Sequence, residues 1–340
     1  MGCAPPSDKG SLVTRIGING LGRIGRAVLR LASARSDITV AGVNDLVDLD
    51  DMAYYVRHDS VHGAFPGAVE TGGGDLVVDG ETVRYTTERD PGDLDWEGVD
   101  VVVESTGAFR SREDAARHLA GGARRVLISA PSDDADVTVV PGVNDEAYDP
   151  DTHEVISLAS CTTNCVAPVL RVLHDRFGVA SAMFTTIHAY TASQSLVDGP
   201  SRKVRRGRAA ALSLVPTTTG AANATELVLP SLAGRLDGIA VRAPVPDGSI
   251  TDLVATLESD TTAEAVLAAF RDAAAGDDIL GSVLGVSDEP LVSIDIVGDT
   301  HSALVDAGSI RMLDGQVKLL AWYDNEMGYA ARLLDFAARI

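Results

Sequence analysis

Thr14-Arg-Ile-Gly-Ile-Asn-Gly-Leu-Gly-Arg-Ile-Gly25 is the stretch whose reading decides the fold. Residues 14–19 read as a short buried strand running into a glycine turn. Residues 23–34 then carry apolar side chains at Ile24, Ala27, Val28 and Leu31, the period of a helix. Between strand and helix lies Gly20-Leu21-Gly22-Arg23-Ile24-Gly25, a GxGxxG. Alone the pattern is weak. Its context is specific: a strand before it, a helix after it, and Asp45 standing 20 positions beyond Gly25 at the end of the next strand, 38–43. Gly20 permits the tight turn, Gly22 lets backbone approach a pyrophosphate, and Gly25 allows close helix–strand packing. The helix N-terminus at Arg23 presents free amides to phosphates. Asp45 is suited to accept hydrogen bonds from a ribose, and its charge repels a 2′-phosphate, so the expected cofactor is NAD rather than NADP.

Outward from this unit the first half keeps one rhythm. Residues 52–56 are expected to be helical. Apolar β-branched runs at 101–103, 126–128 and 137–140 are separated by a helical stretch near 113–119. Strands alternating with helices imply a parallel, doubly wound sheet. In the second half the strand-like segments lengthen: 182–189, 238–243, 251–258, 291–296, 301–306 and 317–322. Only 263–273 interrupts them with a clear helix, which predicts an antiparallel sheet covered on one face by helices. The expected class is therefore α/β, a Rossmann-type doubly wound parallel sheet plus an α+β domain with a mostly antiparallel sheet. Residues 326–340 are amphipathic and expected to be helical. Gly72-Gly73-Gly74 marks an exposed turn, and Pro168 is expected to kink the helix that begins near Cys161.

Composition excludes several classes. The 340 residues can bury a large core, and 45% are hydrophobic. No run approaches the roughly 18 apolar residues of a membrane span, and no secretory h-region opens the chain. Gly2 invites a myristoylation reading, but Pro6 stands where Ser or Thr belongs, so residues 1–13 are expected to be a flexible leader. Three cysteines, at 3, 161 and 165, make no disulfide framework and point to a reducing cytoplasm. Cys161 and Cys165 are spaced to donate two metal ligands, but no second pair completes a zinc site, so no metal is expected. His58 and His62 share that spacing and read as solvated helix residues. The net charge of −21 repels nucleic acid and anionic membranes. Lysine stands only at 9, 203 and 318. Dense carboxylates with so few lysines suggest a high-salt, halophilic setting, where a Debye length of about 3 Å at 1 M makes self-repulsion tolerable.

Ser160-Cys161-Thr162-Thr163-Asn164-Cys165 carries the chemistry, with His188 standing 27 residues after Cys161. Ser160 is a good N-cap, which puts Cys161 in the first helical turn, where dipole and orphan amides lower a thiol pKa. His188 is expected to form a thiolate–imidazolium pair with it. Taken singly, either residue reads as ordinary core; together, behind a dinucleotide fold, they read as nucleophile and base. A thiolate beside a nicotinamide is what oxidation of an aldehyde to an acyl thioester requires. The basic run 201–208 is short and lacks aromatics, so it suits small phosphates better than nucleic acid. Thr217-Thr-Thr-Gly220 adds hydroxyls and a flexible amide, and Arg242 is a lone charge in an apolar strand.

These residues resemble the phosphorylating glyceraldehyde-3-phosphate dehydrogenases from Arg15 to the C-terminus. The resemblance rests on Ile-Asn-Gly-Leu-Gly-Arg-Ile-Gly (18–25), Val-Asn-Asp-Leu (43–46), Glu-Ser-Thr-Gly (104–107), Ile-Ser-Ala-Pro (128–131) and Ser-Cys-Thr-Thr-Asn-Cys (160–165). His-Ala-Tyr-Thr (188–191), Pro-Thr-Thr-Thr-Gly-Ala-Ala (216–222) and Trp-Tyr-Asp-Asn-Glu-Met-Gly-Tyr (322–329) extend it. It implies oxidation of D-glyceraldehyde 3-phosphate with NAD and phosphate to 1,3-bisphosphoglycerate, through a thiohemiacetal and a thioester on Cys161 with His188 as base. It implies that Thr191, Arg206 and Arg242 hold the substrate C3 phosphate, and that Ser160, Thr162, Thr219 and Gly220 hold attacking phosphate. Asn19, Gly20, Gly22, Arg23, Ile24, Gly25, Asp45, Arg89 and Ser129 are then expected around the cofactor, with Asn325 orienting the nicotinamide carboxamide and Tyr329 packed nearby. Ser193 departs from the family, which has aspartate or threonine there. Leu46 and Pro200 match its NAD-dependent members. The resemblance implies a cofactor domain over 14–160 completed by a C-terminal helix at 325–340, a catalytic domain over 161–324, and a homotetramer built through residues 190–214. Two other functions are expected less: erythrose-4-phosphate dehydrogenase, and a non-catalytic interaction protein on the same scaffold.

Overall fold

The computed structural model of the chain describes residues 13–340. The expected leader, with Gly2 and Cys3, falls outside the described residues apart from its last position, Val13.

Nine strands form the first sheet. In spatial order they are Val137–Thr138, Val155–Ser157, Arg125–Ile128, Val101–Glu104, Thr14–Asn19, Ile38–Asn44, Glu81–Thr86, Asp75–Val78 and Val69–Gly72. The first seven run parallel, and a hairpin adds the last two antiparallel. Every residue of Val101–Glu104 is buried, as expected of a parallel strand covered on both faces. The turn at Gly73 and Gly74 has positive φ at both positions (65° and 93°), which is why glycines close this hairpin.

The second sheet orders Val215–Thr218, Leu236–Ala243, Val179–Ala189, Ser249–Leu257, Gln316–Tyr323, Ala303–Asp306 and Leu284–Ser287. Two of its pairings are parallel and the rest antiparallel. Ser249–Leu257 alternates buried with half-buried residues along its length, so one face packs on helices and the other stays partly open. The Cys161–Phe177 and Ala263–Ala274 helices cover the closed face, with Val166, Leu170, Leu173, Val266 and Phe270 buried against Leu253 and Leu319.

The C-terminal helix, Met327–Ala337, returns to the first sheet. It packs on the Arg23–Ala32 helix, and its Leu333, Leu334 and Phe336 join Ile16, Val28 and Val101 in one core. Several expected elements differ. Residues 291–296 form no strand; Ser293–Ile296 is a single 3-10 turn, with Val292 and Ile294 in solvent. The stretch near 113–119 is two short helices, Arg112–Ala115 and Arg117–Ala120. A helix at Ala221–Val228 also interrupts the second half. Pro168 lies inside the Cys161–Phe177 helix, as its position in the sequence implies.

Candidate active site

The fold gathers the loop ends that matter along one edge. Asn19, Asn44 with Asp45, Glu104 with Ser105, Ser129 and Cys161 all stand at or just past the C-terminal ends of parallel strands. That edge is where open α/β sheets bind ligands. Ala159 sits in the left-handed region (φ 54°), an uncommon conformation for a residue with a Cβ. It turns the chain sharply from the Val155–Ser157 strand into the Cys161 helix. Ser160 caps that helix, its Oγ accepting from the Thr163 amide at 3.1 Å.

Cys161 is half-buried, and its Sγ lies 3.4 Å from His188 Nε2. His188 is buried at the end of Val179–Ala189, in register with Arg242 on the neighbouring strand. Its Nδ1 stands 2.7 Å from Ala189 O, and Arg242 Nη1 stands 2.9 Å from both Nδ1 and that carbonyl. Nδ1 cannot both donate to the carbonyl and accept from the guanidinium. Assigning its proton toward Ala189 O gives each donor an acceptor and leaves Nε2 as the acceptor facing sulfur. Electrostatics agree. Burial first, then Arg242, push the His188 pKa down to about 3, so the ring is neutral.

The thiol departs from expectation. Burial pushes Cys161 up to about 11, and the opposing pulls of Arg242 and Thr162 do not overcome it. Burial thus disfavours both the thiolate and the imidazolium, against the pull of the helix N-terminus on the sulfur. Two further contacts frame the pair. Tyr323 Oη lies 2.9 Å from Thr162 Oγ1 and 2.7 Å from Thr186 Oγ1, and its ring meets His188 edge-on. Thr162, expected on a phosphate, has its hydroxyl buried on Tyr323.

The residues expected to hold phosphates lie beside this pair. Arg206 Nε donates to Thr217 Oγ1 at 3.0 Å, and its Nη1 reaches Ser193 Oγ at 3.4 Å. Thr191 and Ser193 share a hydroxyl hydrogen bond of 2.8 Å. Arg206 is near enough to lower the basicity of both His188 and Arg242. Arg242 keeps a buried Nε without a partner. Thr219 accepts from the Ala221 amide, and Gly220 opens the Ala221 helix, exposed and uncapped by any side chain. Arg206 and Arg242 thus bring two guanidinium groups and the hydroxyls of Thr191, Ser193 and Thr217 to the neighbourhood of His188.

The cofactor cleft is a cavity of about 330 Å3 lined by Asn19, Gly20, Gly22, Asp45, Arg89 and Thr106 among others. Its residues fit a dinucleotide. Gly20 has φ 93°, and a Cβ at Gly25 would stand 1.9 Å from Gly20 O, so the turn needs both glycines. A Cβ at Gly22 would meet no protein atom within 4 Å; the space there belongs to the cleft. No side chain caps the Arg23–Ala32 helix and no acid occupies its first turn, which leaves the amides of Arg23, Ile24 and Gly25 for phosphate. Asp45 is fixed by the Leu21 and Val47 amides at 2.7 and 3.1 Å. The Arg23 side chain does not join them; its guanidinium pairs with Asp59 and Glu326.

Those pairs lead to a junction between the two sheets. Asn325 Oδ1 accepts from Ser249 Oγ at 2.5 Å, and Ser249 Oγ accepts from the Ala189 amide. Tyr329 is buried and donates to Ala159 O. His62, read from spacing as a solvated helix residue, lies beyond the helix, which ends at Arg57; its side chain is buried and its Nε2 sits 2.8 Å from Glu326 Oε2. His62, Asp247 and Tyr323 carry no sequence signal of their own. Asp247 in Pro-Asp-Gly reads as an ordinary turn, and only the Trp-Tyr-Asp-Asn-Glu motif hints at Tyr323 and Glu326.

Comparison with known proteins gives one answer over the whole chain. Residues 14–112 match the NAD binding domain of glyceraldehyde 3-phosphate dehydrogenase, and residues 160–325 match its C-terminal domain. A glyceraldehyde-3-phosphate dehydrogenase of Geobacillus stearothermophilus is 52% identical over 332 residues, covering 97% of this chain and 98% of the relative. Glyceraldehyde-3-phosphate dehydrogenase 1 of Bacillus subtilis (strain 168) is 50% identical over the same shares. Glyceraldehyde-3-phosphate dehydrogenase 2 of Streptomyces arenae is 51% identical, covering 97% of this chain and 99% of its own.

Proposed function

The chain belongs to the glyceraldehyde-3-phosphate dehydrogenase family, and from that premise we propose that it oxidises D-glyceraldehyde 3-phosphate to 1,3-bisphosphoglycerate with NAD and inorganic phosphate. The observation that carries the reading is the 3.4 Å contact of Cys161 Sγ with His188 Nε2, beside a cleft that fits the cofactor.

The roles follow from the geometry. His188 Nε2 takes the thiol proton as Cys161 Sγ attacks the aldehyde carbon and passes it to the carbonyl oxygen, giving a neutral thiohemiacetal and a free imidazole. As hydride leaves C1, the imidazole takes the hydroxyl proton and a thioester forms on Cys161. Bound NAD+ supplies the hydride acceptor. Phosphate then attacks the thioester carbonyl, the acyl phosphate departs, and the sulfur recovers its proton from His188. Arg242 and Arg206, with Thr191, suit the C3 phosphate; Ser160, Thr219 and Gly220, again with Arg206, suit the attacking phosphate. Asp45 suits the ribose and Asn325 the carboxamide, while Arg89 and Ser129 stand at the cleft and the strand edge that holds it. Arg23 contributes its amide rather than its side chain, and Thr162, whose hydroxyl meets Tyr323, stands next to Cys161 on the side expected for the attacking phosphate.

The reading divides the chain into a cofactor domain, 14–160 with 325–340, and a catalytic domain, 161–324. The return of the C-terminal helix to the first core supports that division. A homotetramer in a salt-rich cytoplasm is part of the same reading, supported by exposed apolar residues in the 190–214 loop and by the charge of −21. Among the described residues no helix is long and apolar enough to cross a membrane.

An NADH absorbance assay tests the chemistry. With phosphate, turnover should be continuous; without it, a burst of about one NADH per Cys161 should precede a stall, as acyl-enzyme accumulates. His188→Asn should slow the burst by about 10²–10⁴-fold, the contribution of a positioned base. No NADH from glyceraldehyde 3-phosphate, or a higher kcat/KM for erythrose 4-phosphate, would overturn the assignment.

A further inference from the structure

The junction between the sheets holds four carboxylates: Asp59, Asp247, Asp324 and Glu326. Asp59 and Glu326 both pair with Arg23, and Arg26 lies 3.8 Å from Asp59. Burial works against the Glu326 charge, but hydrogen bonds from His62 and Arg23 keep its carboxyl below the usual range. Asp324 accepts from the amides of Gly298, Glu326 and Met327, each at 2.7 Å. Asp247 has no such support. Its side chain is fully buried, Oδ1 accepts only from the adjacent Gly248 amide, and Oδ2 has no partner. Oδ2 points into the cluster, 3.6 Å from His62 Nε2.

An unpartnered buried carboxylate among other carboxylates needs a proton or a cation. His62, Asp247 and Glu326 do bring one donor atom each to within 4.8 Å of one another. Yet the Arg23 guanidinium already holds both Glu326 oxygens, so a metal ion would have to displace it and then stand beside it. A proton on Asp247 needs no displacement. Burial first, then the charges of Asp324 and Glu326, drive this carboxyl far above its ordinary range.

The position of this proton gives it a task. Asn325 lies between Asp324 and Glu326 in the chain, and its side chain is held by Ser249, two residues beyond Asp247. Cys161 also feels Asp247, whose ionised form opposes the thiolate. We propose that Asp247 is a positioning residue: it holds a proton on the buried, unpartnered Oδ2 that points toward His62 and Glu326, which lets loop 324–326 close on His62 and Arg23 and keeps the Asn325 amide aimed at the nicotinamide. The proposal rests on the assignment of Asn325 to the carboxamide. Loss of the proton at alkaline pH places an uncompensated anion beside Asp324 and Glu326, and cofactor affinity falls.

NAD binding to the full chain, followed by calorimetry from pH 7 to pH 10, tests this. Asp247→Asn supplies a neutral isostere. It should bind NAD as wild type does at pH 7 and lack the alkaline weakening that wild type shows. Asp247→Ala should weaken NAD binding by about tenfold or more at pH 7, the order expected when a buried hydrogen-bonding partner is removed. Added to Asn325→Ala, it should produce no further loss. The proposal falls if Asp247→Asn binds as poorly as Asp247→Ala, or if it follows the wild-type alkaline decline. It also falls if purified wild type carries a stoichiometric divalent cation whose removal weakens NAD binding equally. Asn325→Ala that binds NAD normally sinks the carboxamide assignment, and the proposal with it. A damaged Asn325→Ala beside an undamaged Asp247→Ala sinks the proposal alone.

Discussion

Cys161 and His188 are legible in the sequence because each needs only its local motif: a cap before the cysteine, and a strand end carrying the histidine. Their charge states are not legible, because those depend on what the rest of the chain stacks around them. The helix N-terminus lowers a thiol pKa, typically with an effect of about 0.3–1 kcal/mol at an exposed site, but burial in a low-dielectric pocket is the larger opposing influence here. Arg242 was visible as an unpaired strand charge; that it sits 2.9 Å from His188 Nδ1 and depresses the ring required the register of two strands 54 residues apart. A direct consequence concerns reactivity. The thiolate is the species that alkylates, so its fraction sets the rate. With the thiol at about 11, iodoacetamide labelling of cofactor-free protein should still be rising steeply between pH 7 and pH 8.5. A plateau already reached by pH 6.5 would reveal a preformed ion pair and show that His188 and the helix N-terminus outweigh burial.

The glycine turn between the Thr14–Asn19 strand and the Arg23–Ala32 helix separates two kinds of requirement at the scale of elements. Gly25 serves the fold: its Cβ would stand 1.9 Å from the Gly20 carbonyl oxygen, and backbone cannot yield cheaply. Gly22 serves the ligand, since its Cβ would project into empty cleft. Gly25→Ala should therefore lower the melting temperature of the cofactor-free protein, by the equivalent of about 1–3 kcal/mol of overpacking. Gly22→Ala should leave that temperature unchanged and weaken NAD binding. Equal thermal losses in both variants would refute the distinction. This unit was readable because strand, turn and helix each obey a local rule. Residues 291–296 depart from the strand expected of them for the converse reason. Their apolar side chains suggested a buried strand, but Val292 and Ile294 face solvent and no neighbouring strand claims the segment. His62 departs from expectation too. Helical spacing with His58 suggested a solvated face, whereas the helix ends at Arg57 and a short hairpin carries His62 into contact with Glu326, 264 residues later. Long-range pairs of that kind leave no periodic trace in a single chain.

Surface and charge belong to the whole molecule, and they pull against each other. Leu196, Leu212 and Leu214 are 78%, 86% and 68% exposed in the loop that follows the catalytic strand, and Met183 and Ile239 stand out from the open face of the second sheet. So much exposed apolar surface on two patches suits contact with further copies of the chain. Bringing copies together also brings together surfaces that each carry a net charge of −21. At 0.15 M ionic strength the Debye length is about 8 Å, so charges lining an interface still feel one another; at 1 M it is about 3 Å and the repulsion is confined to direct neighbours. Apolar burial is not weakened by the same salt. The assembled state should therefore be favoured as salt rises: light scattering should give about four times the 35.4 kDa chain mass above 1 M salt, and smaller species as salt is lowered toward 0.05 M. Enzymatic activity should follow the same transition, if the 190–214 loop of one copy is braced by another. Removing the charge of an exposed acid that borders the Met183–Ile239 patch, as in Asp237→Asn, should shift the transition to lower salt. A chain that stays monomeric at every salt concentration, or a tetramer indifferent to salt, would show that the acidic surface and the apolar patches act independently.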